Sequence, residues 1–215
     1  MDKKSIFAMD GVYAKIMNSL WNLLMISVLW VLCSIPVITF GASTAAAYYA
    51  AAKVIRGREG KIISEFFHAF KSNFKQSAFF SAIYAVILAV LLLECYYVYQ
   101  SSQLPLPMLY LFYGMVLAVV ANIQYLFPFM SRFSLTKFAL FRMATLCSFR
   151  HLITTILLLL LFAAMCIGVY LMPWGVFLFP GVMFLVKTFL MERVIRKYMP
   201  APADDDESQK WYYNI

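Results

Sequence analysis

Residues 151–186 read HLITTILLLLLFAAMCIGVYLMPWGVFLFPGVMFLV, and no Asp, Glu, Lys or Arg interrupts them. A helix that crosses the hydrocarbon of a bilayer needs roughly 20 apolar residues, with about 17 as a lower limit. The stretch therefore has the length of two short crossings, and Met172-Pro173-Trp174-Gly175 supplies the turn between them. Working outward, residues 16–52 are equally free of charge and turn at Pro36 to Gly41. Between Lys75 and Arg132 a longer run carries one charge, Glu94, close to the polar turn Gln100-Ser101-Ser102-Gln103-Leu104-Pro105. Three apolar hairpins give an all-α fold, a polytopic membrane helix bundle of six membrane segments.

The composition of the 215 residues agrees, with 64% hydrophobic, 18% aromatic and 13% charged. A soluble domain is about half apolar and about a quarter charged, so a water-soluble globule, and with it a soluble enzyme, is excluded. The net charge of +8 does not point to nucleic acid, because the basic residues alternate with apolar blocks instead of clustering on one solvated face. Cys33, Cys95, Cys147 and Cys166 are widely spaced and read as packing residues, with no C-x-x-C pair for metal or redox chemistry. The start, Met1-Asp2-Lys3-Lys4, lacks the short apolar core and cleavage site of a removable signal peptide.

Lys and Arg gather at the N-terminus, between the hairpins (Lys53 to Lys75, Arg132 to Arg150) and after the last one (Arg193, Arg196, Lys197), and none lies in a hairpin turn. By the positive-inside rule both termini and both connectors are cytoplasmic in a cell membrane. The second segment, Ala42 to Val54, is short and rich in Ala, Ser and Thr. Either it spans with local bilayer thinning, or it is re-entrant, which leaves five crossings and an external N-terminus.

In the first connector Phe66, Phe70 and Phe74 recur every four residues with Phe67 adjacent, while Lys71 and Lys75 fall away from that stripe. This is the pattern of an amphipathic helix at the interface, and equally of a face that docks in a partner's groove. The second connector, with Arg132, Lys137, Arg142 and Arg150 among apolar residues, reads as a second interfacial helix, its cations near anionic headgroups. Residues 1–200 form one membrane domain. Residues 201–215, with Asp204, Asp205, Asp206 and Glu207, read as an acidic disordered tail.

Ionisable and amide groups inside the apolar segments mark functional candidates: Asn22, Glu94, Asn122, Gln124 and Lys187. The simpler readings are that Lys187 snorkels to the inner edge and that the amides bond one another between helices. Ser43 in Gly41-Ala42-Ser43-Thr44 lacks a histidine base on its side of the membrane, so Ser43 or Thr44 capping the following helix is preferred to proteolysis. The chain shows no metal-ligand spacing, nucleotide loop or nucleophile-base pair, hence no enzyme, no cofactor and no metal is expected.

The run Leu29-Trp30-Val31-Leu32-Cys33-Ser34-Ile35-Pro36-Val37-Ile38-Thr39-Phe40-Gly41-Ala42-Ser43-Thr44-Ala45, with Asp10-Gly11, Tyr48-Tyr49, Arg56-Gly57-Arg58-Glu59-Gly60 and Phe70-Lys71-Ser72-Asn73-Phe74-Lys75-Gln76, resembles the YesL-like family of bacterial multi-pass membrane proteins. Tyr125 to Phe133 and Glu192 to Tyr198 are similar to it as well, whereas the acidic tail is not. The resemblance implies no catalytic or ligand residues. It implies an accessory or regulatory membrane subunit of a carbohydrate-uptake system, with importer components or sensor kinases as partners. Pro36 to Ser43 and Phe66 to Phe74 would then be the sites of contact. The rival expectation is a small solute transporter or channel in its own right, working as a homo-oligomer.

Overall fold

The computed structural model describes residues 3–57, 60–100 and 106–199. The expected polar turn at 101–105, Arg58 and Glu59, and the tail 201–215 lie outside the described residues. Helix α1 (Lys3–Ser34) stops where Ile35 meets Pro36, because a proline disfavours helical backbone in the residue before it. A 3-10 turn, Val37–Thr39, leads into α2 (Phe40–Ala50), which continues as a π-helical segment, Ala51–Arg56. Gly60 then takes φ +80, a left-handed turn that glycine adopts without a Cβ penalty, and sets up α3 (Ile62–Gln100). After it come α4 (Leu106–Arg132), α5 (Lys137–Arg150), α6 (Leu152–Leu171), a 3-10 turn at Pro173–Phe177, and α7 (Phe179–Ile195).

Helix α2 forms the centre. Gly41 to Tyr48 are all buried, and α1, α3, α4 and α7 pack around them. Small residues on every side let four helices approach closely, which accounts for the Ala-rich sequence that looked weak as a membrane segment. Large side chains from the surrounding helices, Phe66, Tyr125, Phe127, Phe129 and Phe184, close the core around it.

The sense of the helices follows from paired contacts. Gly41 meets Ser81 and Lys53 meets Glu65, so α2 and α3 are antiparallel. Tyr84 bonds to Asn122, and Gln76 reaches the Leu135 carbonyl just beyond α4, so α3 and α4 are antiparallel too. Lys187 meets Gln124 and Glu192 meets Arg132, so α4 and α7 run parallel.

Among the described residues, four helices are long and apolar enough to cross a membrane: Met17–Ser34, Ile62–Gln100, Pro107–Arg132 and Leu152–Leu171. The apolar faces of α6 and of the second half of α3 lie exposed, with Ile153, Leu160 and Tyr170 on one and Val86, Val90, Leu93 and Tyr97 on the other. Apolar faces of this extent mark surfaces that meet a membrane or another protein. Helices α2 and α7 are shorter, at 11 and 17 residues. The amphipathic stretch 62–75 is not a separate element, because it is the beginning of the 39-residue α3. No proline or glycine stands between Ile62 and Gln100 to break the helix.

Candidate functional site

Three side chains from three helices converge on a buried ion pair. Arg132, the last residue of α4, places Nη2 2.5 Å from Oε1 of Glu192 on α7, and both side chains are 0% exposed. The Tyr48 hydroxyl of α2 donates to the same oxygen at 2.8 Å. The Arg132 guanidinium also stands 6.0 Å from the centre of the Tyr48 ring. Arg56, at the end of the π-helical segment, donates to the Thr188 carbonyl at 3.0 Å and lies over the Phe189 ring at 4.5 Å. Desolvating two charges costs several kcal/mol per ion, which their attraction offsets only with good geometry and further hydrogen bonds. Tyr48 provides one of those bonds.

Five residues before Glu192, Lys187 is 1% exposed and donates to Oε1 of Gln124 at 2.5 Å. Lys187 thus does not snorkel. Its helix packs into the bundle against α1, α2 and α4, and the Gln124 carbonyl offers an acceptor within the core where outward extension would need a lipid-facing side. Asn122, one half-turn from Gln124, accepts from Tyr84 and donates to Thr145 on α5 at 2.7 Å. Tyr125 and Thr155 lie 3.0 Å apart, oxygen to oxygen, and Thr155 donates to the Ser148 carbonyl at 2.7 Å. These polar groups are occupied by one another and by backbone.

Of the other candidate polar residues, Asn22 is half-buried and lines a cleft of about 740 Å³ with Asn18, Trp21, Lys61 and Ser64. Glu94 is exposed near the end of α3, apart from both clusters. Neither Ser43 nor Thr44 caps α2, which begins at Phe40 with Thr39 before it. Ser43 instead lies 2.6 Å from Ser34, and Thr44 accepts from the Trp30 indole at 3.2 Å, tying α1 to α2.

The aromatic stripe at the start of α3 divides. Phe66 is fully buried and stacks on the half-buried Phe70 with ring centres 6.2 Å apart. Phe67, Phe74, Lys71 and Lys75 are exposed. Burial withdraws Phe66 from any partner, so the open face of this stretch consists of the other aromatic rings and the two lysines.

A further polar contact closes the corner between α5 and α6, where His151 Nε2 lies 3.2 Å from the Tyr198 hydroxyl. Burial, and then the nearby Lys197 and Arg150 charges, hold the imidazole below its ordinary value of 6.5.

Sequence reasoning picked out Gln124, Asn122 and Lys187 but missed Tyr48, Arg132 and Glu192 as one site. Arg132 reads as an ordinary flanking cation. The available signal was Glu192, an acid at the end of an apolar run where Arg193, Arg196 and Lys197 are all basic. Among the described residues, no group of three His, Cys, Asp or Glu is placed to hold a metal ion.

Residues 23–95 match the family described as a protein of unknown function, DUF624. Over that segment, from within α1 to the last turns of α3, the chain is similar to an uncharacterised domain family; the segment includes Tyr48 and the aromatic face. No curated protein and no solved structure matches the chain.

Proposed function

We propose that this chain is a non-enzymatic integral membrane protein of the cell membrane, an accessory or regulatory subunit that binds importer or sensor-kinase membrane subunits of a carbohydrate-uptake system. Its six apolar segments form three hairpins with both termini in the cytoplasm, and the start of α3 is the contact face. The observation that carries the binding role is the exposed set Phe67, Phe74, Lys71 and Lys75 on a helix anchored by the buried Phe66. The aromatic rings, with few rotamers on a fixed helix, dock at little cost in side-chain ordering, and the two lysines add charge to the same face. The pairing of Asn122, Gln124 and Lys187 inside the bundle supports a fixed scaffold in preference to a solute path, which needs polar groups turned to water. The carbohydrate system rests on the sequence resemblance alone.

Affinity purification of the full chain from its own membranes in mild detergent tests this reading. Importer or kinase subunits are expected with the native protein and are expected to be lost with Phe67→Ala/Phe74→Ala. An identical set of companions for both proteins would end the proposal. The rival transporter is favoured by one feature of Lys187, an ionisable group buried in the bundle with a neutral acceptor and no carboxylate partner among the described residues, since ionisable groups inside membrane segments mark ion or solute paths. Solute flux in proteoliposomes that disappears with Lys187→Met would move the assignment there.

A further inference from the structure

Helices α3 and α5 lie side by side without closing on each other. Between them runs a trough of about 400 Å³ lined by Phe79, Phe80, Ile83, Tyr84 and Ile87 on α3 and by Lys137, Phe138 and Phe141 on α5. Its volume falls within the roughly 300–1,000 Å³ of small-ligand sites. Phe80 and Tyr84 form a buried floor, and Phe79, Ile83, Phe138 and Phe141 are exposed walls. Two hydrogen-bonded links fix the spacing of its sides. In the first, the Gln76 amide donates to the Leu135 carbonyl at 3.1 Å. Further along, Tyr84 bonds to Asn122 of α4, which donates to Thr145 of α5 at 2.7 Å.

The trough has a polarity. Lys137 sits at one end with Nζ 4.0 Å from the centre of the Phe79 ring. On α3 the lining stripe continues one turn back from Phe79 to the exposed Lys75, since residues four apart share a helix face. Beyond these two cations the lining is apolar apart from the Tyr84 hydroxyl, which is already bonded. We infer that the α3–α5 trough seats one acyl chain of an anionic phospholipid, with the phosphate of its headgroup between Lys137 and Lys75. The site depends on membrane residence and not on the accessory role.

In a bilayer an acyl chain gains little by leaving other acyl chains, because lipid tails are as apolar as the groove. Shape alone therefore selects nothing, and the two cations at the mouth decide which headgroup stays. Each basic group near an anionic headgroup contributes about 1 kcal/mol, which is about a five-fold preference.

The test is native mass spectrometry of the full chain in detergent, titrated with palmitoyl-oleoyl phosphatidylglycerol or with phosphatidylcholine of the same chains. Phosphatidylglycerol is expected to be retained preferentially. Lys137→Gln is expected to weaken it about five-fold, Ile83→Trp to block it by filling the trough, and Arg150→Gln, outside the trough, to leave it unchanged. Helix content by circular dichroism checks that each variant is folded, and the charge and shape variants probe the site independently. Equal retention of the two lipids, or equal loss with Arg150→Gln and Lys137→Gln, overturns the site in favour of diffuse surface attraction. A dimer that Ile83→Trp dissociates would give the trough to a second copy and overturn it too.

Discussion

Oε1 of Glu192 takes hydrogen bonds from both Arg132 and Tyr48, while Oε2 is buried without one. Removing one member of a buried pair leaves an uncompensated charge and costs about 3–5 kcal/mol, whereas replacing both with apolar groups is often neutral. Glu192→Met is therefore expected to lower stability by about that amount in denaturant unfolding in detergent. Arg132→Met/Glu192→Met should recover most of the loss, and a double variant as damaged as the two singles summed would show that they do not interact. Histidine 151 gives a pH signature. Because its folded value lies below the ordinary 6.5, the proton prefers the unfolded chain. Stability is full above that value and falls as the pH drops through the window beneath it. Melting temperature should hold between about pH 8 and about pH 6.5 and decline below it, less steeply in His151→Gln. An identical slope in that variant would assign the decline to other groups. At this scale the sequence was only partly legible. Lys187 stands out as a charge within an apolar run, but Arg132 at a segment edge looks the same whether it faces water or a carboxylate 60 positions on.

Helix α7 rests on α1 through Gly181. Its N–H donates to Ser27 Oγ at 2.7 Å, and a Cβ there would run into the Leu23 carbonyl, a backbone atom that cannot rotate away. Gly181→Ala should force the two helices apart at a cost of about 1–3 kcal/mol, the usual penalty of overpacking. Thermal unfolding unchanged by that methyl would mean that the helices are not in this contact. Element by element, the breaks at Pro36 and at Met172 to Gly175 were legible because proline and glycine act locally. The continuity of α3 was not, because its amphipathic beginning and apolar continuation have different compositions but the same helical backbone. Nor was the central place of α2. Its small residues look like a poor membrane segment until four neighbours are seen to need them.

Across the whole molecule, α2, α4 and α7 run one way and α3 the other, and the placement of the ends can be measured. In a chain with Cys33, Cys95, Cys147 and Cys166 replaced, Lys61→Cys and Thr136→Cys are expected to react with an impermeant thiol reagent only in opened cells. Trp174→Cys is expected to react in intact cells. Lys61→Cys and Trp174→Cys reacting from the same side would refute the three-hairpin arrangement. The buried ion pair also imposes an order on biosynthesis. The ribosome delivers Arg132 60 residues before Glu192, a delay of roughly 3–12 s at about 5–20 residues per second. Through that interval the nascent bundle holds a cation without its carboxylate, so the last helix is the step that neutralises it. A chain truncated before α7 is then a substrate for membrane quality-control proteases, and its half-life in pulse-chase labelling should be shorter than that of a full-length chain carrying Arg132→Met/Glu192→Met.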